Sequence, residues 1–171
     1  MAANDPVVKL LKVIPPGSDF AYESRLIGGT TIPENVIVWA FPDGAETVLD
    51  FLAVLEGYDA GGLTFPLKWS ASVATGNVEW EMAIRRFADD AEDLDSAHTY
   101  AYNTVTAAVP SAVNEVGYDN ITFTNGADMD SWADRELAII RLRRDAQLGN
   151  TLDDTASGIA YLWGTHGYET A

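Results

Sequence analysis

Residues 76–86, GNVEWEMAIRR, alternate between apolar and polar side chains as strictly as anything in this chain. Side chains point to opposite faces of a β-strand with period two, so this pattern predicts a strand with one buried and one wet face. The face predicted to be buried carries Val78, Trp80, Met82 and Ile84. The face predicted to contact water carries Glu79, Glu81, Ala83 and Arg85.

Strand-length patterns punctuated by turn residues recur along the rest of the chain. They occupy residues 7–14, 36–41, 47–55, 63–70, 99–109, 120–124, 137–143 and 158–168. Pro66 favours an edge strand or a bulge, because proline donates no hydrogen bond to a ladder. The single helix candidate is 130–137, in which Ser131 and Asp134 have the spacing of a capping box.

About nine short strands with almost no helix predict an all-β protein, an antiparallel sandwich or barrel. A length of 171 residues favours one domain. Within it we assign 1–35 to an N-terminal arm with the first strand and 36–171 to the main sheet domain. Lys9 and Lys12 interrupt the apolar start, so we expect no signal peptide. No apolar run reaches the roughly 20 residues that span a bilayer, and we expect no membrane partner.

The charge of the chain argues against a nucleic-acid partner. Twenty-six acidic residues against ten basic ones give a net charge of −16. A surface this negative repels phosphate backbones, which are bound by clustered lysine and arginine. The chain has no cysteine, which excludes disulfides and thiolate metal sites.

Neither the histidines nor the paired carboxylates predict a catalytic or metal site. His98 and His166 each lack a second histidine three to five residues away, the usual spacing of zinc ligands. Glu79 and Glu81 share a predicted strand face at roughly 7 Å, close to the separation used in glycoside hydrolysis. The same alternation is typical of any strand with one wet face, and we prefer that interpretation.

Two acidic segments stand out as loops, and the first has enough carboxylates to suggest a calcium site. Residues 89–95 hold five acidic side chains, but they lack the spacing of an EF-hand loop, which favours a solvated loop. Residues 144–154 form a second acidic segment containing Asp145, Asp153 and Asp154. There the neighbouring Arg144 and Asp145 suggest a charge-assisted hydrogen bond that pins a strand end.

Five tryptophans raise the alternative of a sugar-binding platform. Trp39, Trp69 and Trp80 fall in apolar runs or on apolar strand faces, so we expect them in the core. Trp132 and Trp163 are less constrained, and two residues do not make a platform. A carbohydrate-binding module therefore remains a minor alternative.

Five motifs, taken together and in order, resemble a group of virion proteins of tailed phages. They are WSA at 69–71, GNVEW at 76–80, TVT at 104–106, RLRRDA at 141–146 and TL at 151–152. The resemblance runs from about residue 50 to the end of the chain and is weak over the first 35 residues.

The resemblance implies a jelly-roll β-sandwich of eight or nine strands with one short helical turn. It also implies a capsid decoration (cement) protein, commonly a homotrimer. Such a protein binds the major capsid protein on the outer surface of the head and stabilises contacts between capsomers. No catalytic residue, cofactor or metal ligand is implied. The alternative within the resemblance is a module of a tail, fibre or baseplate.

Two further hypotheses concern how a decoration protein of this kind would attach. The arm, residues 2–35, would reach a neighbouring subunit or capsomer. The negative surface would dock on a more basic ring of the shell, with binding that weakens as salt rises.

Overall fold

A computed structural model of the protein describes residues 6–14, 19–28, 34–91, 93–146 and 153–170. Within these ranges the chain forms eleven β-strands and a 3-10 turn at Ala127–Met129. In chain order the strands are β1 (Pro6–Ile14), β2 (Tyr22–Gly28), β3 (Glu34–Phe41), β4 (Glu46–Leu55), β5 (Gly62–Ala71), β6 (Asn77–Phe87), β7 (Asn103–Ala108), β8 (Gly117–Phe123), β9 (Leu137–Asp145), β10 (Ala160–Thr165) and β11 (Gly167–Thr170).

The strands pair antiparallel and pack as two layers. The first layer has the order β2-β3-β10-β5-β8, and the second has the order β7-β6-β9-β4-β1. Strand β11 pairs with β5 of the first layer and β1 of the second, so the hydrogen bonds run continuously between them. The chain crosses repeatedly between layers from β4 to β10, as in jelly rolls. The predicted all-β sandwich is confirmed, with more strands than expected.

The core lies between β5 of the first layer and β6 of the second. The apolar faces predicted from alternation are buried in both strands. The ring of Trp80 meets Trp69 edge-on at 5.9 Å between centroids and Phe41 at 5.0 Å. Such edge-to-face contacts add to the burial of large apolar rings, so this aromatic cluster is the centre of the sandwich.

Three local predictions are wrong: the absence of a strand at 22–28, the edge position of Pro66, and the helix at 130–137. Strand β2 falls in a stretch that lacks a strand pattern, because most of its side chains lie at the surface. Pro66 lies on a central strand, since β5 pairs with β8 on one side and with β10 and β11 on the other. The proline lies opposite the break between β10 and β11 on one side and opposite Asn120 of β8 on the other.

The predicted helix at 130–137 does not form. Asp130 and Ser131 have φ angles of 53° and 55°, in the left-handed region, which ends the preceding 3-10 turn. The carboxylate of Glu136 accepts a hydrogen bond from the backbone N–H of Ala133 at 3.0 Å. Side-chain hydrogen bonds to nearby backbone groups therefore replace a helix with turns.

The N-terminal segment contributes to both layers. Strand β1 lies between β4 and β11 in the hydrogen-bonded order, and β2 forms the edge of the first layer. Residues 1–5, 15–18 and 29–33 of the predicted arm lie outside the described residues.

Candidate functional site

The carboxylates of Glu79 and Glu81 are buried rather than wet, each only 4% exposed. The hydroxyl of Thr106 on β7 donates to the Glu79 carboxylate at 2.6 Å. The guanidinium of Arg143 on β9 donates to the Glu81 carboxylate. Both carboxylates, which were only a minor alternative for hydrolysis, are therefore engaged in contacts that hold neighbouring strands together.

A ladder of ion pairs crosses the outer face of the second layer. Arg141 binds the Asp50 carboxylate through two hydrogen bonds of 2.8 Å each. Arg143 pairs with Glu46 at 2.9 Å as well as with Glu81. These partners lie on directly opposed or neighbouring positions of β4, β9 and β6, so the ladder fixes the register of three strands.

Residues 97–102 lie over this ladder and partly shield its ion pairs from water. The Tyr100 ring stacks on the Arg141 guanidinium at 4.3 Å, and Tyr102 stacks on Arg143 at 3.9 Å. Cation–π contacts of this kind gain strength when they are shielded from water. The predicted strand at 99–109 is consequently shorter, because its first residues form this cover and β7 begins at Asn103.

Burial is the largest influence on the titration of Glu81. It raises the pKa of this carboxyl, while the hydrogen bond and charge of Arg143 oppose the shift. Burial also raises the pKa of the Tyr100 and Tyr102 hydroxyls. A carboxyl in this environment, neutral or paired with Arg143, is suited to holding strands together.

The pH dependence of Glu81→Gln tests this environment. A carboxyl whose pKa is raised by folding favours the folded state below its unfolded pKa. That contribution is lost as pH rises through the folded value. We therefore expect wild type to lose stability relative to Glu81→Gln as pH rises from 4 towards 7, measured by urea unfolding. If wild type instead gained stability relative to Glu81→Gln over this pH range, the Arg143 ion pair would outweigh burial in setting the pKa of Glu81.

Arg144 forms the second buried charge cluster, and its partner is not the one predicted. Its guanidinium binds the Asp154 carboxylate through hydrogen bonds of 2.8 and 2.9 Å. Its remaining N–H groups donate to the backbone carbonyls of Phe41, Gly158 and Ala156. Arg144 thus pins the 153–158 segment across the sandwich. The predicted pairing with Asp145 is wrong, because adjacent strand residues point to opposite faces.

Two motifs of the phage resemblance, at 76–80 and 141–146, meet around this cluster. Gly76 has φ +97°, and an added Cβ would lie 2.7 Å from the carbonyl oxygen of Thr155. The carbonyl of Asn77 accepts hydrogen bonds from the N–H groups of Thr155 and Ala156, at 2.9 Å each. The motif at 151–152 lies outside the described residues. The motifs that lie within the described residues therefore form part of the framework of the sandwich.

A shallow cleft of about 280 Å³ lies at one end of the sandwich. The carboxylate of Asp134 in its lining accepts hydrogen bonds from the N–H groups of Gly57 and Tyr58 at 2.7 and 3.1 Å. Across the described ranges, no group of three or more histidine or acidic side chains is arranged to hold a metal ion.

In the acidic segment 89–95, Asp93 accepts a hydrogen bond from the N–H of Asp95 at 2.9 Å, and residue 92 lies outside the described residues.

The tryptophans divide differently from the prediction. Trp69 and Trp80 are in the core as expected, and Trp39 packs against it partly buried. Trp132 is also buried and donates its Nε1–H to the carbonyl of Glu136 at 2.9 Å, so it is not available at the surface. Trp163 is half-buried on the outer face of the first layer, where its Nε1–H donates to the Ser70 hydroxyl at 2.9 Å.

Trp163 belongs to a cluster of rings on that outer face, which we call the aromatic face. Its members lie on β2, β8, β10 and β11 or between the last two: Tyr22, Tyr118, Tyr161, Trp163, His166 and Tyr168. Their registered partners or near contacts on β5 are Thr64, Lys68 and Ser70, which point away from the core. Tyr22 shares this face because it is registered with Ala40, which is registered in turn with Tyr161.

Short-range interactions connect members of the aromatic face. The rings of His166 and Tyr168 lie 6.1 Å apart. Burial and the charge of the nearby Lys68 lower the pKa of His166, and burial and Tyr22 raise the pKa of the Tyr161 hydroxyl. His98 lies elsewhere, against Tyr100 at 4.9 Å. The two histidines are therefore not brought together.

Sequence reasoning missed the aromatic face because its residues come from distant strands. The available local signal was the spacing YLW followed by HGY at 161–168, which places rings at alternate positions in each of two consecutive short segments. In the described part of the chain, no helix has the length and apolar character needed to cross a membrane.

Comparisons with known proteins do not assign the chain to a family. No family model matches the chain, and no curated protein matches it. Solved structures that resemble it include a family 16 carbohydrate-binding module, with TM-score 0.46 and 13% identity over 87% of this chain and 86% of the other.

Two others are a family 61 carbohydrate-binding module in complex with β-1,4-galactotriose and a phage tailspike domain. The first has TM-score 0.36 and 8% identity over 78% of this chain and 70% of the other. The second is the enzymatically active domain of tailspike protein 4 of bacteriophage CBA120, with TM-score 0.39 and 12% identity. That match covers 91% of this chain but 19% of the tailspike. All three TM-scores are below 0.5, and we draw no functional conclusion from them.

Proposed function

We propose that this chain is a structural protein of a tailed-phage particle, a decoration protein that binds the major capsid protein on the outside of the head. The aromatic face is the observation that carries the proposal. Tyrosine and tryptophan are enriched at protein interfaces, where a few such rings supply most of the binding energy. The motif resemblance supports the virion setting.

The rest of the described surface supports a binding role over a chemical one. The carboxylates first considered for catalysis are held in ion pairs and hydrogen bonds. The aromatic face, by contrast, exposes its rings: Tyr118 is 69% exposed. Outward rings beside polar groups such as Lys68 suit a surface that is covered only when a partner docks.

The mechanism of stabilisation is mass action. A protein that binds the assembled shell, and not its separated subunits, favours the shell by about 2.7 kcal/mol per site at a hundredfold excess over Kd. Presentation of several linked copies would multiply weak contacts through a high effective concentration. The net charge of −16 would add a contribution that salt weakens.

The test is occupancy of heads that have been stripped of the protein. We expect Tyr22→Ala/Tyr118→Ala to weaken binding by about 30-fold or more, the effect of losing one interface hot spot of about 2 kcal/mol. Leu94→Ala is the matched control, because Leu94 is 68% exposed but lies in the loop that follows the second layer's β6. Equal occupancy for the double variant and wild type would rule out docking through the aromatic face.

Glycan binding by the same face is a second candidate function. The mixture of stacking rings with Lys68 and His166 favours it, since sugars present both apolar faces and hydroxyl groups. Soluble oligosaccharides would then change the fluorescence of Trp163, and the change would disappear in Trp163→Phe. A ligand-dependent signal together with unchanged head occupancy in Tyr22→Ala/Tyr118→Ala would favour this second function over decoration.

A further inference from the structure

Strand β2 forms the edge of the first layer with one side unpaired among the described residues. It pairs with β3 over its whole length, from Tyr22 opposite Ala40 to Gly28 opposite Glu34. The far side of β2 therefore presents a row of backbone N–H and C=O groups, which is a template for a further strand.

The outer part of β2 and β3 is a two-stranded ribbon. Strand β3 pairs with β10 only at Trp39, Ala40 and Phe41, so the remaining residues of β3 have β2 alone as their described neighbour. Ile37 on this ribbon is 59% exposed. Isolated two-stranded hairpins are marginally stable in water, so a third strand would stabilise the ribbon.

Three of the usual protections of an edge strand are missing from β2, although its charged side chains Glu23 and Arg25 point inward. Its sequence, YESRLIG, contains no proline and no lysine, and its register with β3 is unbroken by a bulge. Natural edges are commonly blunted by these features. The charges that remain on the strand, Glu23 and Arg25, are of opposite sign and flank Ser24.

This arrangement is complementary to itself. In an antiparallel pair of identical strands, directly opposed side chains share a face, so a two-fold axis must pass through one residue paired with its own copy. An axis at Ser24 sets Glu23 opposite Arg25 twice and Tyr22 opposite Leu26 twice. An axis at residue 23 or residue 25 would instead set like charges against each other.

We propose that β2 pairs antiparallel with β2 of a second copy of this chain, centred on Ser24. This contact goes beyond the proposed function, because it concerns the association of two copies of the chain, whatever partner the aromatic face binds. Tyr22, Ser24 and Leu26 lie on the outward side of the first layer. Pairing therefore joins the first layers of two copies into one sheet and extends the aromatic face across both.

Disulfide mapping tests the register directly, because the native chain has no cysteine. Opposed Cα atoms of an antiparallel pair lie about 4.5–5.5 Å apart, within the range of a disulfide, whereas diagonal positions are about 7–8 Å apart. We expect Ser24→Cys to form a covalent dimer on mild oxidation. Glu23→Cys and Arg25→Cys should each cross-link poorly alone and efficiently when mixed.

Charge reversal tests the same contact without a covalent bond. Sedimentation should show wild type as a dimer, and Glu23→Arg or Arg25→Glu should each weaken dimerisation by tenfold or more. The double variant should restore it, because the opposed pairs again have opposite sign. Circular dichroism confirms that each variant is folded. A monomeric wild type, a preference for self-cross-linking at residue 23 or 25, or no rescue in the double variant would overturn the proposal.

Discussion

Arg144→Met lowers the free energy of unfolding by about 3–5 kcal/mol, the usual cost of leaving one member of a buried ion pair without its partner. The Arg144 side chain is fully buried, and Asp154 beside it is nearly so. Removing the guanidinium leaves the Asp154 carboxylate uncompensated, together with three backbone carbonyls that it had satisfied. Urea unfolding at pH 7 measures the loss.

Two further variants show whether the loss comes from the buried charge. Arg135→Met is the control, because that side chain is 89% exposed and its ion pair with Asp134 is worth about 1 kcal/mol or less. Arg144→Met/Asp154→Leu removes both charges, so it should recover part of the stability lost in Arg144→Met. A loss below about 1 kcal/mol for Arg144→Met would contradict the role of this buried cluster in holding the 153–158 segment.

Trp80→Ala is expected to cost about 3–5 kcal/mol, the range for removing a large aromatic side chain from a core. The indole touches rings from two strands of the opposite layer, Phe41 and Trp69, so its loss opens a cavity between the layers. Denaturant titration followed by far-ultraviolet circular dichroism measures the change in unfolding free energy.

Trp80→Phe provides the matched variant for this position. The indole Nε1–H of Trp80 is buried and has no hydrogen-bond partner in the described part of the chain, so phenylalanine loses packing volume but no hydrogen bond. Its cost should therefore be clearly smaller than that of alanine. Equal costs for the two variants would mean that packing of the ring against Phe41 and Trp69 is not what stabilises this position.

The buried faces were predictable because alternation is a local property. In β5 and β6 the residues that hydrophobicity assigns to one side are the residues that the structure buries. The outer face of β6 was not predictable in the same way. Glu79, Glu81 and Arg85 are polar, yet β7 and residues 97–102 cover them, and that cover depends on cation–π and ionic contacts between distant segments.

The edge of the first layer and the aromatic face were missed for related reasons. Strand β2 has a mostly exposed sequence, so it lacks the apolar run that marks a buried strand. The aromatic face combines rings from β2, β8, β10 and β11, which become neighbours only through strand pairing far apart in sequence. Trp163 stood out as less constrained than the core tryptophans, but its neighbours could not be named.

A single-particle reconstruction of phage heads incubated with the purified protein tests the central claim most directly. The account predicts added density on the outer surface of the shell, with the first layer turned towards the major capsid protein and Tyr118 within the contact. Heads without added density would contradict it, and so would copies found on the tail or copies whose aromatic face points away from the shell.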